Sequence, residues 1–228
     1  MFFWEDAKPD LAILTPYKGM VYMQWAVNQE RIIIPTRYTK IESTGHMIDR
    51  ERNGLVDNVL NIKQYDELFY SADRAIEESM DNGVREIVFI DSDIVIPPDG
   101  ILRLRYPRYP LVTGLYWERN LYHYASIRVF KEGKYNPISN DEIDKQGPYF
   151  FVDACGAGYL YVDAEIFKRV SRPWFVWSQE SDESPSEDIY FSEKVWNEVG
   201  LKPMVDKFNV AKHIGPAEYG KEITWTSG

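Results

Sequence analysis

The sequence predicts an α/β fold with a mostly parallel central sheet, flanking helices and a small antiparallel hairpin arm. Two near-continuous apolar runs, Leu11 to Pro16 and Glu86 to Asp91, are typical of strands covered on both faces in a parallel sheet. Apolar residues at helical spacing lie between these runs, which indicates β-α-β units with right-handed crossovers. The 228 residues fit a single domain over 1–228, with peripheral tails at 1–10 and 216–228.

The first half of the chain alternates strands and helices. After the first strand, an imperfect apolar face predicts a helix from Met20 to Glu30. The β-branched stretch that follows predicts a strand near Tyr38 to Ser43. Helical spacing then returns from Ile48 to Ile62 and more clearly from Asp66 to Asn82, where Gly83 ends the pattern. This last helix leads directly into the second apolar strand.

The second half of the chain contains the predicted arm and a well-marked helix. A short helix is expected from Asp99 to Arg105, followed by an apolar strand in the sequence PLVTGLYW. The segment YHYASIRVF followed by KEGK predicts a hairpin at the edge of the sheet. A later amphipathic helix begins after Ser186, which we expect to cap it, and ends at Gly200.

Composition and charge exclude several classes of function. A formal net charge of −10 disfavours a surface that binds phosphate backbones, so we expect no nucleic-acid partner. The N-terminal residues are acidic where a signal peptide needs basic ones, and no apolar run approaches the roughly 20 residues of a transmembrane helix. The single cysteine, Cys155, lies in a Gly/Ala-rich context and favours a reducing compartment. We therefore expect a soluble or at most peripheral, cytoplasmic protein.

Two aspartates close the second apolar strand in the sequence FIDSDIVIPP. Ligands bind beyond the carboxyl ends of the strands in an open parallel sheet, and Asp91, Ser92 and Asp93 fall at that position. Two carboxylates flanking a turn supply the oxygen ligands that Mg²⁺ or Mn²⁺ prefers. The alternative is that Asp-Ser-Asp only forms a turn and caps the helix that follows.

An ordered set of motifs resembles the GT-A glycosyltransferases, especially the small family-two-like enzymes of phages and archaeal viruses. The motifs are LAILTPYKG, VFIDSDI, VTGLYWERN, VDACGAGYLYV, SEDIYF and KHIG, and the likeness spans Leu11 to Gly215. It implies a GT-A (Rossmann-like) fold and a metal-dependent transfer of a sugar from a nucleotide-diphosphate donor, such as a UDP- or GDP-sugar. The acceptor, a glycan, protein or lipid, is not identified. A viral member would work in the host cytoplasm.

The resemblance places the donor near the first strand and the aspartates. Thr15, Pro16 and Tyr17 match the loop that approaches the nucleotide, and Ser92 lies between the two aspartates. Arg74 matches an arginine near the donor phosphates, with Arg52 as a competing match. We favour Arg74 because of its distance along the chain to Asp91, and a solvated helix face is the alternative for either arginine.

The resemblance also implies a metal site for Mn²⁺ or Mg²⁺. Asp93 matches the principal metal ligand, and Asp91 matches a residue that contacts the donor ribose or reaches the metal through water. His213 matches a late histidine that supplies a further ligand in many relatives. A structural histidine is the alternative for this position.

The remaining matches concern the sugar and the acceptor. Gly156 and Gly158 match a small-residue strand against which the donor sugar packs, since glycine permits close approach, although tight sheet packing also accounts for them. Trp117, Asp153 and Glu187 are candidate acceptor contacts, and Glu118 and Arg119, which follow Trp117, are expected to shape the same pocket. A helix-dipole role is the alternative for Glu187. Asp188 matches the catalytic base of inverting members, which deprotonates the acceptor hydroxyl.

Three other functions stay open at this point. A retaining glycosyltransferase uses the same motifs, so the local sequence does not decide the stereochemistry. A sugar-nucleotide pyrophosphorylase is disfavoured because TPYKGMVY lacks the Gly-rich basic loop expected after its first strand. A catalytically silent carbohydrate-binding module would keep the fold without turnover.

Overall fold

A seven-stranded mixed sheet forms the centre of the structure. The computed structural model describes residues 10–17, 23–34, 38–44, 84–119, 124–176, 186–215, 217–219 and 223–225. Within these residues the strands, in chain order, are β1 (Leu11–Tyr17), β2 (Tyr38–Thr44), β3 (Glu86–Ile90), β4 (Ile94–Val95), β5 (Leu111–Leu115), β6 (Ile127–Lys131), β7 (Lys134–Pro137), β8 (Tyr149–Phe151), β9 (Ala154–Cys155), β10 (Tyr159–Asp163), β11 (Met204–Val210), β12 (Lys212–Ile214), β13 (Ala217–Tyr219) and β14 (Ile223–Trp225). The helices are α1 (Met23–Gln29), α2 (Gly100–Arg105), α3 (Asn140–Asp144), α4 (Ala164–Arg169) and α5 (Glu187–Val199).

Most strands of the central sheet point the same way. Its order is β2-β1-β3-β10-β5-β11-β8. β1 is parallel to β2 and β3, and β11 is parallel to β5, whereas β10 is antiparallel to both β3 and β5, and β8 is antiparallel to β11. Five of the seven strands therefore run in one direction, as predicted, and the reversed strands are β10 and β8.

The apolar runs of the sequence are buried on both faces of this sheet. In β1, Leu11 and Ile13 face one hydrophobic cluster, while Ala12 and Leu14 face the other. β3 alternates in the same way, because successive side chains of a strand point to opposite faces. A strand with two apolar surroundings needs apolar residues at every position, which is why both runs are nearly continuous.

Helices cover the two faces. Ile101 and Leu104 of α2 join the cluster that contains Leu11, whereas Phe167 of α4 and Phe191 of α5 join the opposite cluster. The rings of Phe167 and Phe191 stack with centroids 5.5 Å apart. The sheet therefore lies between helical layers, which is the layered arrangement the sequence predicted.

The hairpin arm consists of β6 and β7, which pair with β9 in a separate three-stranded sheet. Lys131 pairs with Lys134, which leaves Glu132 and Gly133 as a two-residue turn with φ values of 54° and 79°. Two positive φ angles are the signature of the turn whose twist matches a β-hairpin. The predicted hairpin is confirmed, but it does not lie at the edge of the central sheet: its pairing with β9 connects it to the glycine-containing segment before β10.

A second, four-stranded sheet has the order β14-β13-β12-β4. β4 directly follows the Asp91 to Asp93 turn, and it was not predicted as a strand. Residues 217–219 and 223–225 form β13 and β14 in this sheet, within the segment expected to be a peripheral tail. The late part of the chain therefore meets the chain just after β3.

Several predicted elements are confirmed with small changes at their ends, namely the strands β1, β2, β3 and β5 and the helices α1, α2 and α5. The predicted helices at 48–62 and 66–82 lie outside the described residues. The expected cap of α5 differs in detail: Ser186 occupies the N-cap position, but its hydroxyl donates to the Asp188 carboxylate and makes no cap hydrogen bond. Gly200 ends α5 in the left-handed conformation, with φ 71°.

No helix in the described part of the chain is both long and apolar enough to cross a membrane.

The packing of β5 predicts that Gly114→Ala destabilises the protein. A Cβ at Gly114 would lie 2.6 Å from the Asn209 carbonyl oxygen and against the Tyr159 ring, both in the interior. We expect the free energy of unfolding, measured by urea denaturation, to fall by about 1–3 kcal/mol. Gly147→Ala is the matched control, because its nearest neighbour would be 3.7 Å away. Equal stability of the two variants would contradict the crowding at Gly114.

Candidate functional site

The candidate site lies at the carboxyl end of β3, where the apolar residues of the strand are followed by Asp91, Ser92 and Asp93. Asp91 follows the strand, Ser92 and Asp93 form a turn, and β4 begins at Ile94. The turn is closed by a hydrogen bond from the Ile94 amide to the Asp91 carbonyl, 3.0 Å long. The Asp-Ser-Asp segment does form a turn, but α2 begins several residues later with Asp99 at its N-cap position. Asp91 and Asp93 therefore do not cap that helix.

Pairing between β4 and β12 brings His213 to Asp93. His213 is the register partner of Ile94, and the Ile214 amide donates to the Asp93 carbonyl at 2.8 Å. The His213 Nε2 atom lies 3.4 Å from the Asp93 Oδ2 atom, and both side chains are largely buried. Two residues 120 positions apart in the sequence are thus fixed side by side by backbone hydrogen bonds.

The His213 ring is oriented by the backbone on its far side. Its Nδ1 atom lies 2.9 Å from the Trp117 carbonyl oxygen. A carbonyl only accepts hydrogen bonds, so Nδ1 carries a proton and donates it, and Nε2 is the nitrogen that faces Asp93. The Tyr116 ring meets the imidazole edge to face, with centroids 5.8 Å apart. The ring therefore presents one defined nitrogen to the carboxylate.

Asp93 also forms an ion pair with Arg119. The Arg119 Nη2 atom lies 3.0 Å from Asp93 Oδ2, the same oxygen that faces His213. Burial on its own would raise the pKa of the Asp93 carboxyl, but the hydrogen bond and charge of His213 and the charge of Arg119 more than offset burial and hold that pKa below its usual value. Asp93 is therefore a carboxylate at neutral pH.

A turn with two glycines lies against Asp91. The Asp91 amide donates to the Gly158 carbonyl at 3.0 Å, and a Cβ at Gly158 would lie 2.8 Å from Asp91 Oδ2. The Gly158 amide donates to the Tyr116 hydroxyl at 3.1 Å. A Cβ at Gly156 would collide with the hydroxyls of Tyr116 and Ser126. The close neighbours of both glycines are protein atoms, so packing accounts for them, and a donor sugar beside them stays a prediction.

Asp188 lies on the other side of the glycine turn, in the first turn of α5. Its Oδ2 atom accepts a hydrogen bond from the Ala157 amide at 3.3 Å, while Oδ1 accepts from the Ile189 amide at 3.0 Å and from the Ser186 hydroxyl. These donors hold the carboxylate in one orientation, with Oδ2 against the turn.

Burial, with the Asp188 charge as a smaller cause, raises the pKa of the nearby Cys155 thiol to about 12, so that thiol is no nucleophile.

Asp93 and His213 fit a divalent cation as a pair. A carboxylate oxygen and an imidazole nitrogen lie 3.4 Å apart, both are ligand types for such a cation, and a hydrogen bond from the other ring nitrogen to a carbonyl is typical of metal-binding histidines. Among the described residues, no three His, Cys, Asp or Glu side chains lie close enough together to hold a metal ion. The predicted trio of Asp91, Asp93 and His213 does not form such a group, and a contact of Asp91 with the donor ribose, or with a metal through water, stays a prediction.

The predicted nucleotide loop is only partly described. Thr15 is fully buried near the end of β1, and its hydroxyl has no hydrogen-bond partner among the described residues. Pro16 and Tyr17 complete β1 beside β2. Arg74 and its competitor Arg52 lie outside the described residues. The nucleotide contacts of the β1 residues and the phosphate contact of either arginine therefore stay predictions.

The three candidate acceptor residues have protein surroundings of their own. The buried Trp117 indole donates to Asn140 at 2.9 Å, and the residue serves the site through its carbonyl. Asp153 binds Lys202 at 2.6 Å and the Phe130 amide at 2.7 Å. Glu187 is buried in the first turn of α5. Trp117 thus has a hydrogen-bond partner, and Asp153 has an ion-pair partner and a backbone donor. The acceptor roles of all three residues stay predictions.

Tyr116 was not singled out from the sequence, and Arg119 was expected only at the acceptor pocket. In the structure Tyr116 supports the glycine turn and contacts His213, and Arg119 pairs with Asp93. Both lie within VTGLYWERN, the segment after β5. Its position at the end of a central strand was the available signal, because strand ends converge at one edge of a sheet.

No protein-family model matches the sequence, and no curated protein matches it either. Among solved structures, the chain is similar to the crystal structure of A197 from STIV, with 16% sequence identity and a TM-score of 0.60. The match covers 96% of this chain and 94% of that chain. A likeness over nearly the full length of both chains shows a shared overall fold, and at this identity it shows the fold alone.

The Tyr116 hydroxyl predicts a stability cost for Tyr116→Phe. The variant removes the acceptor of the buried Gly158 amide, and an unpaired buried donor costs about 1–3 kcal/mol of unfolding free energy. Urea denaturation measures this loss. Tyr106→Phe is the control, because the Tyr106 side chain is exposed (76%) and should change stability by less than about 0.5 kcal/mol. A Tyr116 variant as stable as the control would show that the amide is satisfied elsewhere.

Proposed function

We propose that this chain is a metal-dependent GT-A glycosyltransferase that moves a sugar from a nucleotide-diphosphate donor, such as a UDP- or GDP-sugar, to an acceptor hydroxyl. The observation that carries the proposal is a continuous chain of contacts around the end of β3. Asp188 bonds to the glycine turn, the turn bonds to Asp91 and to Tyr116, and Tyr116 contacts His213, which faces Asp93. Five of the six motifs that resemble this family are therefore joined by these contacts, and the sixth, LAILTPYKG, contains β1, which pairs with β3.

The proposed donor site lies over the ends of β1 and β3. The buried Thr15 hydroxyl, which has no partner among the described residues, is a candidate contact for the nucleotide at the end of β1. Asp91 is a candidate contact for the ribose. The overall fold shared with A197 from STIV, an archaeal virus protein, supports a glycosyltransferase-like fold for this chain.

Asp93 and His213 are the residues that would hold Mn²⁺ or Mg²⁺. The metal, when bound, would neutralise the charge of the leaving diphosphate. Asp93 contributes a negative charge for binding, and the Trp117 carbonyl keeps the His213 Nε2 atom aimed at the same point. Backbone hydrogen bonds between β4 and β12 hold the pair, so the backbone of these two strands does not have to move for binding.

Asp188 is the proposed base of an inverting reaction. The acceptor hydroxyl gives its proton to the Asp188 carboxylate while its oxygen attacks the anomeric carbon and the bond to the diphosphate breaks. Hydrogen bonds from Ala157 and Ile189 fix the carboxylate beside the glycine turn, where the resemblance places the donor sugar. A retaining enzyme on the same fold and a silent carbohydrate-binding module are the alternatives, and the experiments below separate them.

Thermal melting with UDP, GDP, CDP and dTDP, each with and without Mn²⁺, tests the donor site. A nucleotide at about 100 times its dissociation constant stabilises the folded protein by about 2.7 kcal/mol, which gives a clear rise in melting temperature. We expect a Mn²⁺-dependent rise for one nucleotide and its loss in Asp93→Asn. The exposed Asp141 provides the control variant Asp141→Asn, which should behave like the wild type. The absence of any shift in the wild type would favour the silent module.

Asp188→Asn tests the base. The amide keeps the size of the side chain but does not take the proton, so we expect transfer to slow by at least about 10²-fold while the Mn²⁺-dependent nucleotide shift persists. Asp163→Asn is the control, since Asp163 also accepts a backbone hydrogen bond at a helix start. Transfer at the normal rate in Asp188→Asn removes it as the base. A product that keeps the anomeric configuration of the donor, read by proton NMR, establishes the retaining alternative.

A further inference from the structure

Arg119 and His213 share one oxygen of Asp93. Arg119 Nη2 lies 3.0 Å from Asp93 Oδ2, and His213 Nε2 lies 3.4 Å from the same atom. The Arg119 contact bears on metal binding, because a cation held by Asp93 Oδ2 and His213 Nε2 would lie beside the guanidinium. Like charges a few ångströms apart repel each other. Arg119 and a divalent cation therefore compete for this oxygen.

Few contacts hold the Arg119 side chain in place. Its side chain is 42% exposed, and Asp93 is its only hydrogen-bond or ion-pair partner among the described residues. Arg128, a few residues away, is different: it pairs with Glu118 and also donates to the carbonyls of Ala125 and Ile127. Arg128 is therefore held by several groups, whereas within the described part of the chain the Arg119 guanidinium is held by Asp93 alone and keeps other N–H groups for a ligand.

The chemistry of the guanidinium suits the proposed donor. Its planar fork of N–H groups matches the oxygens of phosphates, and it stays charged at any working pH. A diphosphate bound beside Asp93 would place several anionic oxygens close to Arg119. The arginine would then exchange one carboxylate oxygen for the phosphate oxygens without moving away from the site.

We propose that Arg119 is a diphosphate-binding residue that neutralises Asp93 while the metal is absent and moves to the donor diphosphate when the metal binds. This inference rests on the proposed function. The inference adds a residue and an order of events to that function: Arg119 releases Asp93, and the freed guanidinium then holds the leaving group. Arg119 has opposite effects on the two ligands, opposing the metal and favouring the diphosphate.

The test measures metal binding and nucleotide binding separately. Mn²⁺ alone is titrated by electron paramagnetic resonance, and UDP and GDP are titrated by calorimetry at saturating Mn²⁺. For Arg119→Gln we expect Mn²⁺ alone to bind about tenfold more tightly, because a competing positive charge is gone. We expect the nucleotide that binds the wild type to bind about tenfold more weakly or worse, because a charged donor is lost.

Two further variants make the result specific. Arg119→Lys keeps the charge but loses the fork, so Mn²⁺ affinity should stay near the wild-type value while nucleotide affinity falls. Arg103→Gln is the control for net charge, since Arg103 of α2 is an arginine of similar exposure (39%) that pairs with Asp99 at the N-cap of this helix and lies 4.0 Å from Asp206. Neither affinity should change in that variant.

The outcomes separate this inference from the function on which it rests. Opposite changes in the two affinities of Arg119→Gln support the exchange. Weaker binding of both ligands, or no change in either, overturns the exchange while leaving the donor site intact. A wild-type protein that binds neither Mn²⁺ nor a nucleotide overturns the proposed function and the inference together.

Discussion

The backbone pairing of β4 with β12 is the interaction on which the site depends. It joins the turn after β3 to the late part of the chain and fixes His213 against Asp93. Backbone hydrogen bonds define this register, so the relation between the two side chains does not rely on flexible surface contacts. The second ring nitrogen of His213 is held by the Trp117 carbonyl, which ties the pair to the end of β5 as well. Three segments thus determine the position of one imidazole, and the ion pair with Arg119 completes its surroundings.

The central sheet gives that pairing a rigid base. Its inner strands are buried on both faces, and close-packed interiors leave little freedom for small shifts. The reversed strand β10 is important for the site, because it lies between β3 and β5 and is preceded by the glycine turn. An antiparallel strand begins at the edge where its parallel neighbours end. The turn before β10 therefore meets Asp91, at the end of β3, and Tyr116, at the end of β5.

Sequence patterns predicted the strands and helices whose burial is two-sided or strongly periodic. β1, β3 and β5 are apolar along their length, and α5 has both an apolar face and a terminal glycine. β4 was missed because two residues between the Asp-Ser-Asp turn and a Pro-Pro pair carry no periodic signal, and its pairing partner lies more than a hundred residues away. The cap of α5 was mistaken in detail because the Ser186 hydroxyl, which would accept a hydrogen bond from a backbone amide in a cap, instead donates to the Asp188 carboxylate two residues further on.

Local periodicity and turn residues were enough to predict the α/β class, the positions of the main strands along the chain, the hairpin and the candidate residues at strand ends. Which of those residues meet depends on the tertiary fold. It pairs His213 with Asp93, sets Asp188 against the glycine turn, buries the Trp117 indole and brings Tyr116 and Arg119 into the site. Such contacts join segments far apart in the chain. They follow from sheet order and register, and these are set by the packing of the whole core rather than by any one segment.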